Sequence, residues 1–240
     1  KELLQRFFFF FRDEDPDILI GWNVLDFDLA VLQQRCVALG VPFDIGRDRG
    51  ARILAPSGDA TRHVARIPGR VVMDVPTMLR AYHGSFEEYS LDFVASRMLG
   101  VRKTIRLSGQ EKINEINRQF REDKERLGEY NLHDAKLTKD IFDTAMILPN
   151  AIERAKLTGH LLDRTGGNVA AFDFLYLPRL HRYGCVAGDI ADVPQPAAPL
   201  AGGYVMESKP GIYENVLLLD FKSLYPTIIM TFCIDPLGHH

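Results

Sequence analysis

The sequence is poor in the features that would assign it to several specialised classes of protein. Its 240 residues include only three cysteines, and the wide spacing of Cys36, Cys185 and Cys233 matches neither a disulfide framework nor a metal motif. This usage favours a reducing compartment. No apolar run reaches the roughly 18 residues that a membrane span requires. We therefore expect neither a membrane protein nor a small secreted protein stabilised by disulfides.

An excess of charge of either sign is also absent. The chain has 29 Lys and Arg residues against 32 Asp and Glu residues, which gives a formal net charge of −3 at pH 7. This balance argues against non-specific binding of nucleic acid by the whole surface, although it is compatible with a local basic face. What the chain does have is 46% hydrophobic residues, enough for the core of one large or two small domains.

Hydrophobic patterning predicts strands that alternate with helices up to residue 160. Strands are expected over 17–22 and 70–75. Helices are expected over 1–12, 26–39, 90–99, 110–127 and 131–157. Residues 43–70, rich in Gly, Arg, Pro and Asp, are expected to form an irregular excursion or a hairpin. The pattern predicts an α/β fold with a mostly buried sheet.

The composition changes after Gly159. A Gly-Gly pair at 166–167 opens an apolar, aromatic helix over about 168–183, and VPQPAAPLAGG at 193–203 is the strongest candidate for a linker. Two strand-like runs follow, YVMES and VLLLDF, and then a helix from about Ser223. We therefore expect a second domain to open after this linker.

The first candidate site is the stretch GWNVLDFDLAVL at 21–32, where a strand ends and a helix begins. Asn23 or Asp26 can cap the exposed N–H groups of that helix. Asp28 then lies within the first turns, after the apolar Phe27. The same sequence would also be expected if Asp26 and Asp28 only interacted favourably with the dipole at the N-terminus of the helix.

The second candidate is YNLHDAKL at 130–137, where Tyr130 and Asp134 stand four residues apart and hence on one face of a helix. A phenol beside a carboxylate can orient a water molecule and hold a metal ion. A solvated helix start would have a similar composition.

The third candidate is LLLDFKSLYPTII at 217–229. Leu217–Leu219 are expected to form a buried strand, with Asp220 at its carboxyl end, where open α/β sheets place their sites. Ser223 can cap the helix that follows, and the N–H groups at such a turn can bind phosphate oxygens. Beside a carboxylate that can bind Mg²⁺, this geometry suits a nucleoside triphosphate. The alternative is a strand–turn–helix corner with a capping aspartate.

Taken in order and at these separations, the three stretches resemble the family B DNA polymerases. Asn23–Asp28 resemble the second motif of the family's 3′→5′ proofreading exonuclease, Tyr130 with Asp134 resemble the third, and Asp220–Pro226 resemble polymerase motif A. The flanking segments DPDILIGWN, GGNVAAFDFLYLPRLHR and GGYVMESKPGIY are similar to one bacterial branch of the family. The resemblance covers nearly the whole chain except the excursion at 43–70.

The resemblance implies an RNase H-like 3′→5′ exonuclease domain over 1–160 that lacks its first strands. It also implies a connecting helix and linker over 161–200 and the beginning of the polymerase palm over 201–238. The first exonuclease motif is expected before residue 1 and the remaining polymerase motifs after residue 240, so we expect an internal segment of a longer polymerase that is inactive alone. His239 and His240 follow a glycine and are typical of a tag remnant.

For the exonuclease, the resemblance implies that Asp28 and Asp134 bind two Mg²⁺ ions and that Tyr130 helps to position the attacking water. Asn23 and Phe27 would shape the same pocket. If so, the two carboxylates should lie close enough to bridge a metal pair whose ions are roughly 4 Å apart.

For the polymerase, the resemblance implies that Asp220 and the backbone carbonyl of Phe221 bind two catalytic Mg²⁺ ions. Ser223 and Leu224 would offer N–H groups to the triphosphate, and Tyr225 would be the steric gate against a 2′-hydroxyl. Three further residues would approach the template backbone: Gly202, Gly203 and Tyr204.

The implied partners are primer–template DNA, a single-stranded 3′ end, deoxynucleoside triphosphates and a sliding clamp, in replication and repair at the nucleoid of a bacterial cytoplasm. Two other classes remain open from the residues alone. One is a stand-alone RNase H-like 3′→5′ exonuclease, which would leave 200–238 without a purpose. The other is a non-catalytic DNA-binding module that keeps the motifs as relics.

Overall fold

The computed structural model describes residues 1–48, 50–55, 63–101, 109–189 and 203–234. The chain divides into two compact units, Lys1–Leu175 and Tyr176–His240. In the described part of the chain, no helix combines the length and apolar composition that a membrane crossing requires.

Short strands alternate with helices in the first part of the first unit. These elements are α1 (Glu2–Glu14), β1 (Ile18–Gly21), a π-helical turn (Leu25–Leu29), α2 (Ala30–Leu39), β2 (Arg52–Leu54), β3 (Val64–Arg66) and β4 (Val71–Asp74). A run of helices follows. They are α3 (Val75–Tyr82), α4 (Leu91–Leu99), α5 (Gly109–Glu122), α6 (Lys124–Thr144) and α7 (Ile147–Thr158). Helix α8 (Asn168–Arg182) begins in this unit and ends in the second. Its bounds are close to those predicted for a helix over about 168–183.

The two long helices predicted over 110–127 and 131–157 are three helices in the structure, α5, α6 and α7, with boundaries at other residues. Helix α6 begins earlier than expected because the Asp123 side chain caps it, accepting from the Arg126 N–H at 3.0 Å. It ends at Thr144, and Met146 takes a left-handed conformation (φ 53°) before α7. A local cap and a local backbone reversal, rather than hydrophobic period, set these boundaries.

The sheet that positions the site consists of β1 and β4, which pair in parallel with Ile18 opposite Val71 and Gly21 opposite Asp74. β2 and β3 form the antiparallel hairpin expected within 43–70. The mixture of strands and helices confirms the α/β class. The sheet was expected to be mostly buried, and this holds for β4 from Val72 onward, whereas β1 is only partly buried.

Strand β4 lies between two hydrophobic clusters, because successive side chains of a strand point to opposite faces. Met73 belongs to a cluster with α3, α4, α6 and α7, and Val72 belongs to a cluster with α1, α2 and the hairpin. In the second cluster, Phe8 and Phe11 are buried one turn apart on α1. Burial of each large side chain stabilises the fold by roughly 1.5–3 kcal/mol, so β4 is held firmly on both sides.

The second unit contains the end of α8 and α9 (Leu224–Phe232) in its described part. The helix expected from Ser223 is present, but Ser223 does not cap it with its side chain and has φ 53°. The two expected strands are wrong: YVMES and VLLLDF are not in strands, and Leu217–Leu219 are exposed rather than buried. A strand requires a hydrogen-bonding neighbour, and the described residues of this unit supply none.

Three sequence predictions fall outside the described residues. They concern Gly202, most of the linker at 193–203 and the histidines at 239–240.

Candidate active site

A cleft of about 570 Å³ opens at the end of β1, between the π-helical turn, α4 and α6. Two acidic side chains line it, Asp28 from the turn and Asp134 from α6. The remaining lining residues are Ile20, Gly21, Trp22, Val24, Leu91, Asn131, Ala135, Thr138 and Lys139. The structure therefore brings two of the predicted exonuclease residues, more than 100 positions apart in sequence, to one concave site.

The turn that carries Asp28 depends on two residues at the end of β1. A Cβ at Gly21 would lie 2.6 Å from the Val24 Cβ, so glycine allows the chain to fold back closely. Asn23 has φ 60°, a left-handed conformation that asparagine adopts more readily than most residues. The chain then enters the π-helical turn Leu25–Leu29, a form that is often found at functional sites.

The predicted capping of this helix by Asn23 or Asp26 is wrong. Neither the π-helical turn nor α2 has a side-chain cap. The Asp26 carboxylate instead accepts from the His63 backbone N–H at 2.9 Å, and its Oδ1 lies 2.9 Å from His63 Nδ1. Asp26 thus connects the turn to the β2–β3 hairpin.

Asp28 is in an unfavourable environment for a negative charge. Partial desolvation by the cleft walls raises the pKa of its carboxyl group, and the nearby negative charge of Asp74 raises it further, partly opposed by a hydrogen bond with its own backbone. The side chain is nevertheless exposed on its outer side. A cation bound in the cleft would offset both effects, as expected of a metal ligand.

Tyr130 and Asp134 meet on one face of α6, as their spacing predicts. The Tyr130 phenol hydrogen-bonds to the Asp134 carboxylate, and burial together with that neighbouring carboxylate raises the pKa of Tyr130 to about 12. The phenol is therefore protonated and a donor at neutral pH. Because Tyr130 is buried, it holds one side of the Asp134 carboxylate in a fixed orientation.

The donor chemistry of the cleft suits Mg²⁺. Carboxylate oxygens are its preferred protein ligands, and Mg²⁺ usually keeps several waters while it binds one or two carboxylates. Asp28 and Asp134 supply two. Over the described ranges, no group of three or more His, Cys, Asp or Glu side chains could hold a metal ion. The bridging separation of the two carboxylates stays a prediction.

Phe27, Asp28 and Val31 also line a second groove, with Leu3 and Arg35. The Phe27 ring is 66% exposed there, so it is available to an incoming ligand rather than buried in the core.

Three residues in the cleft or close to Asp28 were not anticipated from the sequence. Trp22 donates from Nε1 to the Tyr89 carbonyl at 3.1 Å, and Lys139 lines the cleft while it pairs with Asp143. Asp74 lies buried at the end of β4. The sequence does contain a signal for Asp74, since VVMD is an apolar run that ends in a carboxylate. The same pattern makes Asp220 a candidate site residue.

The predicted polymerase residues lie in the second unit. Asp220 and Phe221 precede α9, and Leu224 and Tyr225 begin it, all of them exposed. Gly203 and Tyr204 lie in the irregular segment upstream and are exposed as well. Their ring and carboxylate groups are accessible, and their roles remain predictions.

Two family models match the chain. The model for DNA polymerase family B, exonuclease domain, matches residues 1–94, and the model for DNA polymerase family B matches residues 134–236. DNA polymerase II of Escherichia coli (strain K12) is 43% identical over 238 residues, which cover 99% of this chain and 30% of that protein.

Two further relatives are similar over the same extent. A DNA polymerase of Thermococcus sp. (strain 9oN-7) is 31% identical over 245 residues, and one of Desulfurococcus sp. (strain Tok) is 31% identical over 247 residues. Each alignment covers 98% of this chain and 30% of the relative. The chain therefore spans 30% of the length of these curated relatives.

Proposed function

Because this chain belongs to the family B DNA polymerases, we propose that it contributes part of the proofreading exonuclease and the start of the palm of a DNA-directed DNA polymerase. The observation that carries the proposal is that Asp28 and Asp134 line the same cleft, where a hydrogen bond from Tyr130 orients the Asp134 carboxylate. The match of the second family model over residues 134–236 disfavours a stand-alone exonuclease.

In the exonuclease, Asp28 and Asp134 would hold divalent metal, and we propose Mg²⁺ because the ligands are carboxylates. When bound, the metal would stabilise negative charge on the attacking and leaving oxygens of the phosphodiester. Tyr130 fixes the Asp134 carboxylate by its hydrogen bond and so limits its rotation at the wall of the cleft. Asn23 sets the backbone of the turn, and Phe27 offers an apolar surface beside Asp28 to the single-stranded 3′ end.

Tyr130→Phe in the full-length polymerase tests the exonuclease assignment. The variant keeps the ring but removes the hydroxyl donor to Asp134, so the rate of 3′→5′ degradation of a labelled single strand should fall about 10–100-fold. Tyr183→Phe is the matched control, because Tyr183 is 87% exposed in this chain and does not line the cleft, and it should degrade at the wild-type rate. Equal rates for both variants would contradict the role given to Tyr130.

In the palm, Asp220 and the Phe221 carbonyl would hold the catalytic Mg²⁺, and the Ser223 and Leu224 N–H groups would bind the triphosphate. Tyr225 would lie under the sugar of the incoming nucleotide and exclude a 2′-hydroxyl by its bulk. A second group of residues would face the template backbone: Gly202, Gly203 and Tyr204.

Tyr225→Ala tests the palm assignment through sugar selectivity. Removal of the ring opens space for a 2′-hydroxyl, while the proposed metal and triphosphate groups remain, so discrimination should fall more than catalysis. The measurement is the ratio of single-nucleotide incorporation efficiencies for deoxy- and ribonucleotides. Tyr213→Ala, at another exposed tyrosine of the second unit, is the control and should leave the ratio unchanged. An unchanged ratio in Tyr225→Ala would make this ring an ordinary surface aromatic.

The proposal implies primer–template DNA, a single-stranded 3′ end and deoxynucleoside triphosphates as substrates. Because the Escherichia coli relative is a bacterial DNA polymerase, we also propose a role in replication and repair in a bacterial cytoplasm, with a sliding clamp as partner.

A further inference from the structure

Asp74 is a buried carboxylate that the proposed metal site does not use. It is only 3% exposed. A charged group is costly to bury unless hydrogen bonds compensate it. Its place at the carboxyl end of β4 therefore calls for a specific set of partners.

Both oxygens of Asp74 are engaged by hydrogen bonds. Oδ1 accepts from the backbone N–H of Val24 at 3.0 Å, and Oδ2 accepts from the Thr77 hydroxyl at 2.6 Å. An aspartate at the start of a helix usually accepts from that helix's own backbone, but Asp74 makes no such bond to α3. Its backbone contact is instead directed 50 residues back along the chain.

The contact with Val24 lies where the chain leaves β1 and enters the turn that carries Asp28. Val24 follows Asn23, the residue with φ 60°, and directly precedes the π-helical turn Leu25–Leu29. The register places Asp74 opposite Gly21, so the carboxylate reaches across the ends of two paired strands. β4 itself is held between the two hydrophobic clusters, which makes Asp74 a rigid anchor.

We propose that Asp74 is a positioning residue of the exonuclease site, which fixes the Asp28 turn to β4 by accepting the Val24 N–H. Thr77 sets the orientation of the carboxylate through its hydroxyl. The effect on catalysis rests on the proposed function, whereas the structural contact does not. Asp74 itself binds neither DNA nor metal in this role.

Three variants of the 240-residue chain separate positioning from general stability. Asp74→Ala removes the acceptor. Asp74→Asn keeps it, because the amide oxygen can accept from Val24 and the amide N–H can donate to the Thr77 oxygen. Val94→Ala is the matched control for lost stability. Val94 is 0% exposed in the same core, and its truncation leaves a cavity there.

Hydrogen exchange of the Val24 amide, followed by NMR, gives a readout independent of activity. In wild type and Asp74→Asn this amide should exchange slowly, and in Asp74→Ala it should exchange at least about tenfold faster, since the bond that protects it is lost. Val94→Ala should leave the exchange of Val24 relative to its neighbours unchanged. Equal protection in wild type and Asp74→Ala would overturn the proposal.

Activity in the full-length polymerase provides the second readout. Asp74→Ala should lower kcat for single-strand degradation about 10–100-fold, with KM changed less than about threefold, as is typical of residues that orient a metal ligand without binding the metal. Asp74→Asn should retain most of the wild-type kcat. If Asp74→Asn were as slow as Asp74→Ala, or if Val94→Ala lost as much kcat, the positioning role would be wrong. A wild-type enzyme without nuclease activity would refute the proposed function, but the Val24 exchange result would still decide the role of Asp74.

Discussion

At the scale of one residue, the Asp28 carboxylate, a proposed metal ligand, lowers the stability of the fold when it is ionised. Its pKa is raised, first by desolvation and then by the Asp74 charge, so the folded chain binds this proton more tightly than the unfolded chain does. The contribution of Asp28 to stability is therefore greatest at low pH and is lost as the pH rises through the raised pKa.

Asp28→Asn should accordingly stabilise the chain at pH 7 in metal-free buffer and have almost no effect at low pH, where the acid is protonated. Because the side chain is partly open to water, the gain should be below about 1 kcal/mol. Thermal unfolding at both pH values measures it. Asp143→Asn on α6, which removes an exposed charge paired with Lys139, is the control and should not stabilise at pH 7. A loss of stability at pH 7 in Asp28→Asn would contradict the account.

Single-residue predictions succeeded where the relevant spacing was local. Tyr130 and Asp134 are four residues apart on one helix, and the hydrogen bond between them follows from helix geometry. Caps at Asn23 and Asp26 were wrong because the partners that decide them are distant: the Val24 N–H bonds to Asp74, and Asp26 bonds to His63. No local pattern specifies a contact across 50 residues.

At the scale of elements, the end of α2 at Gly40 was predictable, and the surroundings of Gly40 differ from those of Gly159, where α7 ends. Gly40 ends α2 at φ 59° with open space around it, whereas Gly159 ends α7 at φ 67° with a would-be Cβ 2.4 Å from the Phe174 ring. Gly40→Ala should cost about 1 kcal/mol through left-handed strain alone. Gly159→Ala should cost about 1 kcal/mol more, because the ring must also move.

Urea unfolding of the two glycine variants measures this difference. Repeating Gly159→Ala in a Phe174→Ala background supplies the control, since the extra cost should disappear once the ring is absent. Equal costs for Gly40→Ala and Gly159→Ala in the wild-type background would show that the packing of Phe174 on α7 is unimportant.

Strand type followed from hydrophobic pattern for the two strands that pair in parallel within the described chain. Strand β1 was predicted from DILIGW and pairs with β4, which was predicted from RVVMDV. The equally apolar VLLLDF was predicted as a strand and is irregular and exposed, because a strand depends on a neighbour that its own residues do not provide. The boundary between α5 and α6 was expected between residues 127 and 131, and it lies instead at Asp123, whose side chain caps α6.

At the scale of the whole molecule, the cleft contains only two candidate ligand carboxylates in the described part of the chain, Asp28 and Asp134. Catalytic groups that act as a unit lose orders of magnitude when the set is reduced. The isolated 240-residue chain should therefore degrade a labelled single strand with Mg²⁺ at least about 1,000-fold more slowly than the full-length polymerase. Comparable rates for the two proteins would show that the chain's own residues suffice.

We propose above all that this chain carries parts of two separate active sites, one around Asp28 and Asp134 and the other around Asp220. The most direct measurement compares 3′→5′ degradation and primer extension for two variants of the full-length polymerase. Asp28→Ala/Asp134→Ala should abolish degradation, by at least about 1,000-fold, and retain primer extension, whereas Asp220→Ala should abolish extension and retain degradation. If either variant removed both activities together, or if the double variant still degraded DNA at the wild-type rate, the account would be contradicted.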